Sequence, residues 1–154
     1  MELKTILVPI DGSKQAYEAV QTAVYMAKLS GAELILLIVV DLNKEVAAFE
    51  QVSLSGYVPA ELKEGAYQLL AEIMHEEIPR EIRARTLVEI GSPSEVIVEV
   101  AAREQCDLVV MGRRGFGTFK GLVMGSVSQY VLHHAHCPVL IAHGQKKDTA
   151  GNKE

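Results

Sequence analysis

The sequence predicts an α/β fold: a doubly wound, five-stranded parallel sheet in the order 3-2-1-4-5, with helices on both faces. Three observations predict it. Short apolar runs alternate with amphipathic stretches from one end of the chain to the other, the pattern of a parallel sheet with crossover helices. The runs at 34–40 and 108–111 are apolar at every position, as strands covered on both faces are. The runs at 82–90 and 139–142 are different: the first alternates, and the second follows Pro138, so both belong at edges. One domain is expected over residues 1–143, followed by a polar, disordered tail at 144–154.

Each element has its own reason. Residues 4–10 are mostly apolar and β-branched, so they read as a buried strand. Asp11-Gly12-Ser13 is a turn, and Ser13 can cap a helix whose apolar stripe is Ala16, Ala19, Val20, Ala23, Met26 and Ala27. Gly31 stands where that helix should stop. Residues 34–40 form the second strand. Residues 41–58 show no convincing period, as in a long loop. A second helix starts at Pro59, carries Leu62, Ala66, Leu69, Leu70, Ile73 and Met74, and is ended by Pro79. In the third strand, 82–90, Ile82, Ala84, Val88 and Ile90 share one face, and Arg83, Arg85 and Glu89 the other, wetter one. Ser92-Pro93-Ser94-Glu95 reads as a capping box with proline at the first helical position, opening a helix to about Glu104. After the fourth strand comes a glycine-rich loop, 112–125. Ser126-Val127-Ser128-Gln129 reads as a second capping box, for a helix through about Ala135, before the short last strand.

Composition narrows the function. The 154 residues carry a net charge of −5, with 49% hydrophobic and 23% charged residues. An acidic chain disfavours a general nucleic-acid binder, and 5% aromatics without tryptophan disfavour a base-stacking platform. The longest apolar run, seven residues at 34–40, is too short to span a bilayer as a helix. The N-terminal run is too short for a signal peptide. Cys106 and Cys137 form no CxxC pair and read as free thiols in a reducing cytoplasm, Cys106 as a packed thiol rather than a nucleophile. A cytoplasmic protein without membrane or nucleic-acid partners is expected.

In the order 3-2-1-4-5 the winding reverses between the first and fourth strands, leaving a crevice at their carboxyl ends. Asp11, Gly112 and the end of the second strand at Val39 and Val40 fall there. The strongest chemical signal is the loop Gly112-Arg113-Arg114-Gly115, nine residues, then Gly125-Ser126. Glycines let a backbone approach an anion closely, and the helix that follows adds free N–H groups and positive dipole. The Ser126 hydroxyl can cap that helix and also meet a phosphate. From Leu108 to Lys147 there is no acidic residue, so Arg113, Arg114 and Lys120 make a locally positive stretch suited to a polyphosphate. Met111 and Met124 flank the loop; core packing accounts for both, and Met111 is also placed to touch a nucleotide. The alternative is a surface loop before a capped helix. GxxxxGK[ST] and GxGxxG are both absent, which removes the Walker, nicotinamide and flavin readings. A single Asp11 after the first strand and Ile90-Gly91 after the third leave a phosphoacceptor receiver poorly supported.

Ile6-Leu7-Val8-Pro9-Ile10-Asp11-Gly12-Ser13, Val109-Val110-Met111-Gly112, the G-x2-G-x9-G-S loop and His136-Cys137-Pro138-Val139-Leu140-Ile141 resemble the universal stress protein family. The resemblance runs over nearly all of residues 2–143, and the glycine loop resembles that of its ATP-binding branch. It implies that Gly112, Gly115, Gly125, Ser126 and Val127 hold ribose and phosphates. It further implies that Asp11 contacts the nucleoside, that backbone at Val39 faces adenine, and that Pro9 shapes the turn. The implied ligand is ATP, with ADP or AMP as alternatives and Mg²⁺ as an optional companion; the implied role is a stress sensor or regulator.

A slow ATPase is the rival reading, but the loop region offers no acid as a base; no catalytic residue is assigned. An interaction module that needs no nucleotide is the third. His133, His134 and His136 suit the negative end of a helix better than a metal site, and no metal ligands are assigned. Val139, Leu140 and Ile141 form an apolar edge strand, through which a homodimer is expected, as the resemblance also implies.

Overall fold

The computed structural model describes residues 1–43, 60–113 and 124–143. Its elements run β1 (Thr5–Pro9), α1 (Lys14–Ser30), β2 (Glu33–Val40), α2 (Ala60–Glu76), β3 (Ala84–Ile90), α3 (Pro93–Arg103), β4 (Leu108–Gly112), α4 (Ser126–His134) and β5 (Val139–Ala142). The strands form one sheet in the order β3-β2-β1-β4-β5, and every pairing is parallel.

Two apolar clusters, one on each face, hold the layers together. Ile6, Val8, Leu34, Leu36 and Val110 point to one face, where they meet Ala19, Val20 and Ala23 of α1 and Leu70 and Ile73 of α2. Leu7, Ile35, Leu37, Val109 and Met111 point to the other, against Ile97 and Val100 of α3 and Val131 of α4. Ile6, Leu7 and Val8 are fully buried because successive side chains of a central strand enter different clusters. That is the physical origin of the unbroken apolar runs.

The ends of α1 follow its sequence. The Ala16 N–H donates to the Ser13 hydroxyl at 3.2 Å. Gly31, at φ 76°, sends its own N–H to the Ala27 carbonyl, a left-handed stop that favours glycine. The buried stripe includes Val24 in place of Met26, which packs partly buried at its margin.

Several boundaries and caps differ from expectation. The third strand begins at Ala84, although Ile82 does pack on the same cluster as Ala84, Val88 and Ile90. Helix α2 stops at Glu76, short of Pro79, and α4 stops at His134. Ser92 is the N-cap of α3 and Pro93 follows inside it, but the Ser92 hydroxyl makes no cap bond; it lies 3.5 Å from the Ser94 hydroxyl. Ser126 is not a cap at all. Gly125 is the N-cap of α4 and Ser126 is the first helical residue.

The wetter face of β3 turns towards α3. Arg85 Nη2 donates to Glu104 Oε2 at 2.6 Å, and Arg103 Nη2 to Glu89 Oε1 at 2.6 Å. Arg103 Nε also reaches Glu104 Oε1 at 3.2 Å. These pairs tie the outer strand to the C-terminus of α3. At the other edge, β5 is joined to β4, and among the described residues no strand pairs with its far side.

Candidate functional site

The carboxyl ends of β1 and β4 lie side by side in the middle of the sheet. β1 hands the chain to α1 through a tight turn: Asp11 Oδ1 accepts the Ser13 N–H at 2.9 Å, and Gly12 adopts φ 80°, which a side chain would resist. Ile10 stays tethered to β2, its N–H donating to the Leu37 carbonyl at 2.8 Å. Asp11 is therefore exposed at a fixed point above the end of β1.

Register places the neighbours. Pro9 pairs with Leu37, so β2 runs on past the end of β1 and carries Val39 and Val40 beyond it. Val39 packs on the α3/α4 cluster, and so does Val127 from the first turn of α4. Met111 is part of that cluster, only 5% exposed. Pro9 belongs to the same face by alternation from Leu7. Pro9, Val39, Met111 and Val127 thus share one face of the sheet at its carboxyl edge, with Asp11 at the rim.

Gly112, the last residue of β4, turns the opposite way. A Cβ there would stand 2.7 Å from the Gln15 Cβ and 2.9 Å from the Gln15 carbonyl carbon and oxygen. The missing side chain makes room for the first turn of α1. A backbone approach to an anion is thus not needed to explain glycine at 112.

Helix α4 is fastened to β4 across the loop. The Gly125 N–H donates to the Arg113 carbonyl at 2.9 Å. The Ser128 hydroxyl lies 3.0 Å from the Gly112 carbonyl and 2.8 Å from that of Arg113. The first intrahelical bond runs from the Gln129 N–H to the Gly125 carbonyl, so Ser126, Val127 and Ser128 have N–H groups without an intrahelical acceptor. Their partial positive charge faces the end of β4. Gly125 has φ −75°, open to any residue, and its N–H is already engaged.

Arg114, Gly115 and Lys120 lie outside the described residues, as do 44–58 of the expected long loop. Of the predicted site, the structure brings together Pro9, Asp11, Val39, Met111, Gly112, Gly125, Ser126 and Val127 at one end of the sheet. The sequence reading missed Ser128. Its signal was its place three residues before Val131, on the apolar stripe of α4.

The remaining candidates lie elsewhere. Burial pushes the Cys106 thiol up to about 12, and burial raises Cys137 too, so neither favours the thiolate. His134 stacks on Tyr130, ring centroids 4.0 Å apart, and its Nδ1 lies 2.8 Å from the Tyr130 carbonyl. Among the described residues no group of three His, Cys, Asp or Glu side chains could hold a metal ion, and no helix is long and apolar enough to cross a membrane.

The universal stress protein family model matches residues 2–143. The chain belongs to the universal stress protein family. Universal stress protein MJ0531 of Methanocaldococcus jannaschii is 32% identical, the match covering 94% of this chain and 85% of the relative. Among solved structures, the hypothetical protein MJ0577 superposes with a TM-score of 0.80 at 29% identity, covering 96% of this chain and all of that one. A universal stress protein solved in complex with cAMP superposes at 0.61 with 26% identity, covering 93% and 98%. The order β3-β2-β1-β4-β5 in this universal stress protein is thus the family fold.

Proposed function

We propose that this universal stress protein binds an adenine nucleotide, ATP above ADP or AMP, at the carboxyl edge of β1 and β4. It then acts in the cytoplasm as a nucleotide-dependent sensor or regulator of the stress response. The observation that carries the reading is the fastened β4–α4 junction. It presents the N–H groups of Ser126, Val127 and Ser128, which have no intrahelical acceptor, beside the face lined by Pro9, Val39, Met111 and Val127. Apolar side chains suit the adenine, and the helix N-terminus suits the phosphates. The family relative in complex with cAMP supports an adenine ring in this fold.

Roles then follow from charge. Asp11 repels phosphates and so takes the sugar end, where its second oxygen can accept a hydroxyl. Arg114, Gly115 and Ser126 take the phosphates, with Gly112 and Gly125 at the two ends of the loop beside them. Mg²⁺, where it accompanies ATP, is held through the phosphates. Hydrolysis needs a group that orients or deprotonates water. Residues 108–147 hold no Asp or Glu to serve, and Asp11 is assigned to the sugar, so turnover is slow or absent.

Calorimetry tests the reading. Wild-type protein should bind ATP, and Gly115→Val should lose that binding with the fold intact. Asp11→Asn, which keeps an acceptor for the Ser13 N–H, should weaken ATP and AMP by the same factor. Unchanged ATP affinity in Gly115→Val would remove the loop from the site. Tighter ATP binding in Asp11→Asn with AMP unaltered would place Asp11 by the phosphates and reverse the pose.

A further inference from the structure

We propose that Ser128 is a positioning residue for the phosphate end of the nucleotide site. Resting on the reading above, the proposal assigns Ser128 the task of setting α4 at a fixed distance from β4. The residue is 3% exposed and sits in the first turn of α4, facing inward with Val131, which is fully buried. An inward position in that stripe would ordinarily be apolar. Instead its hydroxyl points back across the loop to two main-chain carbonyls, Gly112 at 3.0 Å and Arg113 at 2.8 Å.

The bonding at those carbonyls is specific. A serine has one O–H to give, shared between or alternating across the two acceptors. The Arg113 carbonyl also receives the Gly125 N–H at 2.9 Å, so its two lone pairs meet two donors from the same helix end. The residues on either side of the loop are thereby locked together at a spacing that no apolar contact would fix. Among the described residues the main chain gives one link across the loop, Gly125 to Arg113; Ser128 adds a second at the first turn, beside the packing of Val127 and Val131 on the α3/α4 cluster, and so limits pivoting about the first.

This matters for an anion because charge interactions at a helix N-terminus fall off within its first turn. A helix end that pivots presents its N–H groups at varying distance and angle, and a bound phosphate must pay to order it. Ser128 therefore acts on phosphate affinity without touching the ligand through its hydroxyl, which is turned to the carbonyls. At the nucleoside end Pro9, Asp11 and Val39 come from β1, β2 and the β1–α1 turn, so α4 reaches it only through the Val127 side chain. A residue that merely filled space would affect nucleoside and nucleotide alike, or neither.

The experiment compares wild type, Ser128→Ala and Ser128→Thr for binding of ATP and of adenosine, together with hydrogen exchange at the Gly125 amide in ligand-free protein. Ser128→Ala should bind ATP about 10-fold more weakly, corresponding to one hydrogen bond of about 1.4 kcal/mol. Adenosine affinity should stay within about twofold, and the Gly125 amide should exchange severalfold faster. Ser128→Thr, which keeps the hydroxyl, should restore both ATP affinity and protection. ATP affinity and Gly125 exchange both unchanged in Ser128→Ala would overturn the proposal, as would equal losses for ATP and adenosine. Wild-type protein that binds neither ligand would overturn the nucleotide reading instead. The exchange measurement needs no ligand and would still decide whether Ser128 locks the two loop ends.

Discussion

Gly112 and Gln15 are in direct contact: the end of β4 packs against the first turn of α1 so closely that a Cβ on Gly112 would come within 2.7 Å of the Gln15 side chain and 2.9 Å of its backbone. Because part of the obstacle is backbone, a rotamer change cannot relieve it. The contact sets the distance between the turn that carries Asp11 and the strand that leads into the glycine loop. Packing and site geometry meet in this one pair.

Gly112→Ala should therefore destabilise the fold by about 1–3 kcal/mol, the usual cost of overpacking. Urea unfolding should show a lower midpoint with an unaltered slope. ATP affinity should fall as well, since α1 and Asp11 move with the strain. A variant as stable as wild type would mean that α1 shifts without cost and that Gly112 is kept for another reason.

The sheet order was legible because burial on two faces leaves a mark that a single sequence carries. Residues 34–40 and 108–111 show no polar position, and both became inner strands. The same order puts Asp11 and Val39 at the carboxyl edge of the sheet. The β4–α4 junction was legible only in outline. Ser126 reads as a cap because it precedes an apolar stretch, yet Gly125 takes that position. The first helical bond ends on the Gly125 carbonyl, and the Gly125 N–H is held by Arg113, a contact twelve positions back along the chain that no local pattern encodes. Gly112 carried a subtler signal. Leu108 and Val110 face α1, so alternation alone would have pointed the missing Cβ of Gly112 at that helix. The ion pairs of Arg85 and Arg103 with Glu104 could not be read, since they depend on how the end of α3 lies across β3.

Glu104 gives a pH dependence. Hydrogen bonds from Arg85 and then Arg103 hold its carboxyl below the ordinary 4.5. A folded-state value below the unfolded one adds stability that is present above about 4.5 and lost as pH falls through the folded value. The pairs are partly open to water, so the contribution is small. Glu104→Gln should lower the melting temperature by about 2 °C at pH 7. That difference should shrink steadily below the ordinary glutamate range and also in high salt. Thermal melts across pH 3 to 7 would check it; a gap that stays constant down to acid would show that packing, not charge, is what Glu104 supplies.

The two sheet edges differ in a way that bears on assembly. β3 carries Arg85 and Glu89, both engaged in ion pairs, and such charges discourage pairing with another chain. β5 reads Val139, Leu140, Ile141, Ala142 with no charge. Its first three residues remain partly exposed, and its far side is unpaired among the described residues. Two copies meeting there about a two-fold axis would run antiparallel and extend the sheet into a closed dimer. Leu140 faces the α1 side of the sheet, packed at the margin of that cluster, so a lysine there can reach water without emptying the core. Leu140→Lys should convert a homodimer into a monomer by setting two like charges close together across the shared edge. Light scattering should report about twice the 16.8 kDa chain mass for wild type and the single-chain mass for the variant, with circular dichroism unchanged. A wild-type protein that scatters as one chain would rule out the β5 dimer, and a variant that stays dimeric would move the interface to another surface.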